Sequence, residues 1–288
     1  MIPGSFNYHR PKSVQEAIGL LAKLGDDGRA LAGGHSLIPL MKLRLATPAN
    51  LIDLAGIAEL KGARADGNDI VIGAMTTQHE LIGSDLLAAK IPLLREVALQ
   101  IADPQVRYLG TLGGNVAGGD PANDMPAVMM CLNATCHIAG KNGERRVAAR
   151  QFYQGTYVTA LAAGDVLTAV RIPVPAAGHG YAYEKLKRKI GDFATAAAAV
   201  VLTMKGGKVE TCSIGLTNVA PTPLLAEEAA KILIGSAFDA ATVKRAVTAA
   251  EAITTPAEDA RGPAAYRTKM AGVMLTRALA RAKSLAKG

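Results

Sequence analysis

The spacing of hydrophobic positions changes several times along the chain, and each change predicts an element. Val14, Ala17, Ile18, Leu21 and Leu24 recur three and four residues apart, which makes one apolar stripe on an α-helix. Ser13 stands before this run with Glu16 three residues on, the pairing of a capping box in which the hydroxyl caps the helix and the carboxylate reaches back. A short strand is expected around Ala30 and Leu31, then a helix carrying Leu37, Leu40, Met41 and Leu45 behind Ser36 as N-cap, then a strand over residues 51–54. This strand–helix–strand unit puts Gly33 and Gly34 at the first turn. Residues 69–74 predict another strand, and Thr77 with Glu80 a second capping box. Leu93, Leu94, Val97 and Ile101 predict a helix with Pro92 in its first turn and Asp103-Pro104 at its end.

Beyond the glycine-rich segment 110–119, short β-like pieces are expected as far as residues 166–172, and Pro173, Pro175 and Gly178 mark a boundary. Residues 181–187 then alternate like a strand. Residues 195–205 and 208–218 read as a hairpin, with Gly206-Gly207 supplying the positive φ values of its turn. Pro221 and Pro223 close that sheet, and the remainder is Ala-rich helix whose Arg277, Arg281 and Lys283 suit a helix C-terminus. The fold class expected is α+β: a mixed N-terminal domain over residues 1–177, divided at about 55/56, then a small antiparallel sheet packed with helices over 178–288.

Composition narrows the function. Half of the 288 residues are hydrophobic and 19% are charged, as in a soluble globular protein. The net charge of +8 permits a polyanionic partner, but the basic residues are spread along the chain. With no Trp and 4% aromatic residues, a face that stacks bases in series is hard to build, so no nucleic-acid partner is expected. Three cysteines, an odd count, argue against a disulfide framework. Cys131 and Cys136 have the spacing that opens a plant-type iron–sulfur pattern, but position 139 is Ala and Cys212 is the only other cysteine, so no cluster is expected on this chain. His9, His79, His137 and His179 are too scattered to nominate a metal site. The first residues show no basic segment followed by an apolar run, and the apolar stretch 194–204 is too short to span a bilayer, so a cytoplasmic location is expected.

Two segments place paired glycines beside small hydrogen-bonding residues: Ala32-Gly33-Gly34-His35-Ser36 and Thr111-Leu112-Gly113-Gly114-Asn115. Without a Cβ the backbone can take positive φ and approach a ligand closely, and successive exposed amides form a concavity for phosphate oxygens. After the first doublet the following helix adds its positive end. Two such loops could embrace a pyrophosphate. The alternative is that both are ordinary turns, since Gly supplies 30 of the 288 residues, above the usual ~7%. Neither segment is G-x-G-x-x-G and no P-loop pattern occurs, so a Rossmann site and a P-loop are both unsupported.

Residues 31–36, 107–115 and 118–126, followed by Tyr183-Glu184-Lys185, resemble in their combination and order the FAD-binding medium subunits of the molybdenum hydroxylase family. That family spans xanthine dehydrogenase and aerobic carbon monoxide dehydrogenase flavoproteins, and the likeness points to the carbon monoxide dehydrogenase branch. The resemblance covers essentially the whole chain. It implies an N-terminal FAD domain of the para-cresol methylhydroxylase type, with Ala32, Gly33, Gly34, His35 and Ser36 and Thr111, Leu112, Gly113, Gly114 and Asn115 around the pyrophosphate. By the same resemblance Asp124 hydrogen-bonds sugar hydroxyls and Lys185 lies near the isoalloxazine ring. The alternatives are a turn residue before Pro126 for Asp124 and a solvated strand lysine for Lys185. Lys187, Arg188 and Lys189 read as surface or subunit-contact charges, Phe193 as a ring neighbour or a core aromatic, and Arg44 as a surface residue. Some flavoproteins of this broad fold attach FAD to histidine, but this branch does not, so His35 reads as a loop residue and FAD as noncovalent.

The implied function is electron relay. The molybdenum cofactor would sit on a large partner subunit and iron–sulfur clusters on a small one, with this chain's FAD passing electrons to an external acceptor such as a quinone. A dimer of heterotrimers and peripheral association with the inner face of the cytoplasmic membrane go with that expectation. No catalytic acid–base or nucleophile set is expected on this chain, because a relay needs only binding, orientation and redox tuning. The alternatives are the flavoprotein subunit of a xanthine, aldehyde or aromatic hydroxylase, a free-standing FAD oxidase, and a nonenzymatic basic binding module.

Overall fold

A computed structural model describes residues 2–287; Met1 and Gly288, the outer ends of the two expected domains, lie outside the described residues. Three short strands, Asn7–His9, Gly28–Leu31 and Asn50–Asp53, form a parallel sheet with Asn50–Asp53 in the centre. The Leu37–Lys42 helix connects two of them, which is the expected strand–helix–strand unit. That helix is shorter than its apolar pattern suggested. It stops at Lys42, and Arg44 takes φ +61°, turning the chain toward the central strand. Ser36 occupies the N-cap position but makes no capping hydrogen bond with its side chain. The earlier Val14–Leu24 helix is capped by Ser13, whose hydroxyl accepts from the Glu16 amide at 3.1 Å. Glu16 reaches back one residue further than a capping box requires, to the Lys12 amide.

A five-stranded antiparallel sheet follows, in the spatial order Ala63–Asp66, Asp69–Gly73, Val166–Pro173, Thr135–Gly140, Gly143–Ala148. Helices Gln78–Gly83, Asp85–Lys90 and Pro92–Gln100 cover it with Leu81, Leu87, Leu93, Leu94 and Val97 buried. Thr77 and Glu80 make the full capping box. Two expectations fail nearby. Asp103-Pro104 does not simply end a helix: Asp103 accepts from the Val106 amide and starts another, Pro104–Leu109. The first of the β-like pieces expected beyond residue 119 is instead a helix, Asp124–Cys131, and the glycine-rich segment itself holds another, Leu112–Ala117. The Asp124–Cys131 helix is buried all round, so its sequence shows no amphipathic period by which to recognise it.

The C-terminal sheet runs Gly180–Leu186, Ala196–Lys205, Lys208–Thr217, Leu224–Leu225 and is antiparallel throughout. Gly206 and Gly207, at φ +56° and +75°, make the expected two-residue turn. The strand Ala196–Lys205 is buried on both faces. Ala196, Ala198, Val200 and Leu202 join the core made with helices Glu227–Leu233, Ala240–Ala252 and Ala264–Leu285. Ala197 and Ala199 join the core that continues into the five-stranded sheet. Small alanines let both layers approach the sheet closely. The long last helix comes so near that a Cβ at Gly180 would overlap the Ala282 carbonyl.

Candidate functional site

The two glycine doublets, far apart in sequence, lie side by side. At Gly34 the backbone has φ +74°, a conformation that side chains resist. Gly33 is constrained differently: a Cβ there would overlap the Leu109 carbonyl and crowd the Gly110 backbone. Across the same seam a Cβ on Gly114 would lie 3.3 Å from the Ala32 Cβ and 2.9 Å from Thr111 Oγ1. The His35 ring edge lies toward Gly110 from the other side. Only Gly34 among the four doublet glycines adopts positive φ; the others are small because something must come close.

The two loops differ in what their amides offer. Thr111 is buried and caps the Leu112–Ala117 helix, accepting from the Gly114 amide at 3.0 Å. The Leu112 amide donates to the Thr76 carbonyl, that of Gly113 to Ala74 and that of Asn115 to Thr111. This corrects the expectation of a second amide nest: residues 112–115 form a packed wall whose donors are already engaged. Gly113 is tight against Ala74, where a Cβ would clash with its carbonyl and methyl. In the first loop, by contrast, the amides of Gly33, Gly34, His35 and Ser36 meet no acceptor among the described residues. Donors and wall together shape one cleft edge suited to an anion.

Asn115 connects this wall to a buried ion pair. Its side-chain oxygen accepts from the Met125 amide at 3.1 Å, and its carbonyl accepts from Asn123 Nδ2 at 2.8 Å. These bonds fix the start of the Asp124–Cys131 helix. One Asp124 oxygen accepts the Tyr183 hydroxyl, and the other lies 2.8 Å from Lys185 Nζ. Lys185 has 1% of its side chain exposed, which rules out the solvated strand lysine, and Asp124, 5% exposed, opens a helix rather than sitting in a turn before Pro126. Burial pushes the Asp124 carboxyl above its ordinary range, while the Lys185 charge and the Tyr183 hydroxyl pull it down. Burial also carries the Tyr183 phenol well above its usual value, reinforced by the Asp124 charge.

Behind this pair stands a second cluster that sequence reasoning missed. Glu96 accepts from the Tyr183 amide at 2.6 Å and is gripped by both terminal nitrogens of Arg281, at 3.1 Å each. Arg281 also bonds Glu184 at 2.6 Å, so it ties the last helix to the Pro92–Gln100 helix and to the Gly180–Leu186 strand. Its role at a helix C-terminus is thus secondary to these carboxylates. Tyr183 stood out in the sequence through the Tyr183-Glu184-Lys185 segment of the family resemblance; nothing local marked Glu96.

A family described as "FAD binding domain in molybdopterin dehydrogenase" matches residues 4–175 of the chain. The chain belongs to this flavoprotein family. A second description, "CO dehydrogenase flavoprotein C-terminal domain", matches residues 181–282 of the same flavoprotein. The chain is 68% identical to the carbon monoxide dehydrogenase medium chain of Afipia carboxidovorans over 100% of each chain. It is 52% identical to the carbon monoxide dehydrogenase medium chain of Hydrogenophaga pseudoflava over 97% of each. It superposes on a chain of Cu,Mo-CO dehydrogenase in its cyanide-inactivated form with a TM-score of 0.98 at 68% identity, covering 99% of this chain and 100% of that one.

The residues present fit the cofactor that this flavoprotein family is described by. Unengaged amides at Gly33 to Ser36 suit a pyrophosphate, and the close seam between the loops leaves no space for side chains at Gly33 and Gly114. Other candidates are peripheral. Phe193 is 44% exposed beneath the Arg261 guanidinium, 6.0 Å from its ring centre, and so is not a core aromatic. Arg188 pairs with Asp192 at the surface, and Arg44 lies near Gly4. Cys131, Cys136 and Cys212 are free thiols, pushed by burial to about 11, about 12 and about 12. Among the described residues no cluster of three or more His, Cys, Asp or Glu could hold a metal, and no helix is long and apolar enough to cross a membrane.

Proposed function

We propose that this chain is the FAD-bearing electron-transfer subunit of an aerobic carbon monoxide dehydrogenase, relaying electrons from iron–sulfur clusters of a small subunit to an external acceptor such as a quinone. The observation that carries this reading is identity of 68%, maintained over the whole of both chains, with a carbon monoxide dehydrogenase medium chain. The molybdenum cofactor belongs to a large partner subunit, and the complex is a dimer of heterotrimers able to sit at the inner membrane face. The division into residues 1–177 and 178–288 is part of the proposal, and the break between strands Val166–Pro173 and Gly180–Leu186 supports it.

FAD, when bound, supplies the exchange between one-electron carriers and a one- or two-electron acceptor. The chain's residues bind and orient. Gly33, Gly34, His35 and Ser36 would donate amides to the pyrophosphate with Ala32 leading into them, and Thr111, Leu112, Gly113, Gly114 and Asn115 would form the wall against it. Asp124 uses lone pairs left over from Tyr183 and Lys185 to accept from sugar hydroxyls. Lys185 would bring a positive charge to the ring side, where it would favour added negative charge. His35 contributes backbone and shape, and the cofactor is held noncovalently.

Acid precipitation of the purified chain tests attachment: flavin should pass into the supernatant, and flavin retained on His35 would refute noncovalent binding. Anaerobic carbon monoxide should bleach the flavin only after the large and small subunits are added. Bleaching of the isolated chain, shown by metal analysis to lack molybdenum and iron, overturns the relay. Bleaching of the assembled complex by xanthine or an aldehyde, but not by carbon monoxide, overturns the substrate assignment alone.

A further inference from the structure

Gln78 is the first residue of the Gln78–Gly83 helix and is 1% exposed, yet neither its side-chain oxygen nor its nitrogen has a hydrogen-bond partner among the described residues. Exchanging the two atoms by a flip of the amide relieves nothing, because both are unpartnered. Polar side chains close to it in the chain or on the adjoining helix do find partners. The Thr77 hydroxyl bonds Glu80, the Thr76 hydroxyl bonds the Gly62 carbonyl, and the Gln100 side-chain nitrogen bonds the Tyr183 carbonyl. An apolar residue of the same length would fill the space without the cost of burying an unpaired carboxamide.

The backbone of Gln78 places the residue beside the second glycine loop. Its backbone amide donates to the Gly110 carbonyl at 2.8 Å, and its neighbour Thr77 pairs with Thr111 across an isolated bridge. Gln78 is therefore joined directly to the start of the second glycine loop, at the seam where Gly33 meets Leu109 and Gly110. The helix it begins packs against Pro92–Gln100, whose last carbonyl lies 3.4 Å from Lys185 Nζ. Gln78 thus touches the pyrophosphate seam through its backbone and begins a helix that packs on the one reaching the buried lysine.

We propose that the Gln78 carboxamide is a further contact of the bound flavin nucleotide, made to its flavin half. This rests on the FAD reading above. Chemistry excludes the phosphates, and position selects the half. A carboxamide presents a donor and an acceptor side by side, and both are unmatched here. Phosphate oxygens only accept and would leave the Gln78 oxygen bare. Both nucleotide halves offer the complements, in hydroxyls and in a ring edge, and it is the packing of the Gln78 helix against the helix whose last carbonyl meets Lys185, the ring-side residue of the FAD reading, that selects the flavin half. Gln78 positions the flavin; it takes no part in electron transfer itself.

The test uses the full-length chain stripped of flavin, with Gln78→Met, which keeps the length and removes both polar atoms, and Gln78→Glu, which keeps the acceptors and removes the donors. The readouts are FAD and ADP affinity and the melting temperature of the flavin-free chain. For Gln78→Met, FAD binding should weaken about ten-fold, a loss of about 1.4 kcal/mol. ADP affinity and the flavin-free melting temperature should not fall. Gln78→Glu should weaken FAD binding as well. Unchanged FAD affinity in Gln78→Met overturns the proposal, as does a loss that ADP shares or that merely follows a lowered flavin-free melting temperature; the last outcome assigns Gln78 to an internal water or to packing. A wild-type chain that takes up no FAD at all refutes the cofactor reading itself, before any variant is compared.

Discussion

Lys185 and Asp124, 61 positions apart in the chain, meet as an ion pair 2.8 Å long in which neither side chain exposes more than 5% of its surface. One charge comes from a strand and the other from a helix, so the pair fastens the C-terminal sheet to the helix that follows the second glycine loop. Removing one member of such a pair leaves an uncompensated charge in the interior and typically costs about 3–5 kcal/mol.

Lys185→Met should therefore destabilise the chain by roughly that amount at neutral pH, measured by denaturant unfolding, and Lys185→Met/Asp124→Asn should recover a large part of it. The sign of the pH dependence follows from burial, which raises the Asp124 carboxyl above its ordinary 3.8. A group whose pKa is raised in the fold favours the fold most at acid pH and loses that contribution as pH rises. With the lysine gone the carboxyl rises further, so the variant should lie nearer to wild type at mildly acid pH than at pH 8. A deficit independent of pH would contradict this.

Gly33→Ala forces a methyl into the Leu109 carbonyl, so the two loops must part. FAD affinity should fall, and overpacking should cost about 1–3 kcal/mol in stability. Gly206→Ala is the control, because its Cβ meets nothing within 4 Å and its φ of +56° strains only the hairpin tip. It should cost about 1–2 kcal/mol and leave FAD affinity as it was. Flavin titration of folded variants distinguishes the two; equal affinities would remove the seam from the binding site.

The contrast between these glycines shows where local sequence suffices. Gly206-Gly207 and the Thr77–Glu80 box were legible because each is decided by residues within a few positions. The Leu112–Ala117 helix was not, since a glycine pair disfavours a helix and the forces that impose one come from elsewhere: Thr111 caps it, and Ala74 and Thr76 take its first amides. Burial of Lys185 was hidden for the same reason, its carboxylate lying on a helix that no period announced. The two loops were recognised as a set, but their unequal use of amides became visible only when their neighbours were in place.

Arg281 is 45% exposed, and its grip on Glu96 and Glu184 is a partly screened network. A double-mutant cycle between Arg281→Ala and Glu96→Ala should give a coupling of about 1 kcal/mol that shrinks in high salt. A coupling that persists in high salt would show that the side chains act by packing instead.

His137 lies partly buried in the five-stranded sheet with its Nε2 unpartnered, and burial, with Arg146 and Arg171 nearby, holds its pKa below the ordinary 6.5. The unfolded chain therefore binds the proton more readily, and stability should fall as pH drops below 6.5 toward the folded value. His137→Leu should lose less melting temperature than wild type between pH 7.5 and 5.5. Identical slopes would remove His137 from the acid response.

Because Gly33 is seated on the backbone of Leu109, the cradle is not contained in any contiguous stretch of chain. A ribosome that has released the strand–helix–strand unit as far as Asp53 has made the donors and none of the wall. The wall leaves the tunnel later, and the partner of Asp124 later still. The two halves of the pyrophosphate cradle thus meet only once Leu109 has been made, and a nascent chain that stops short of it presents donors with no wall to face them.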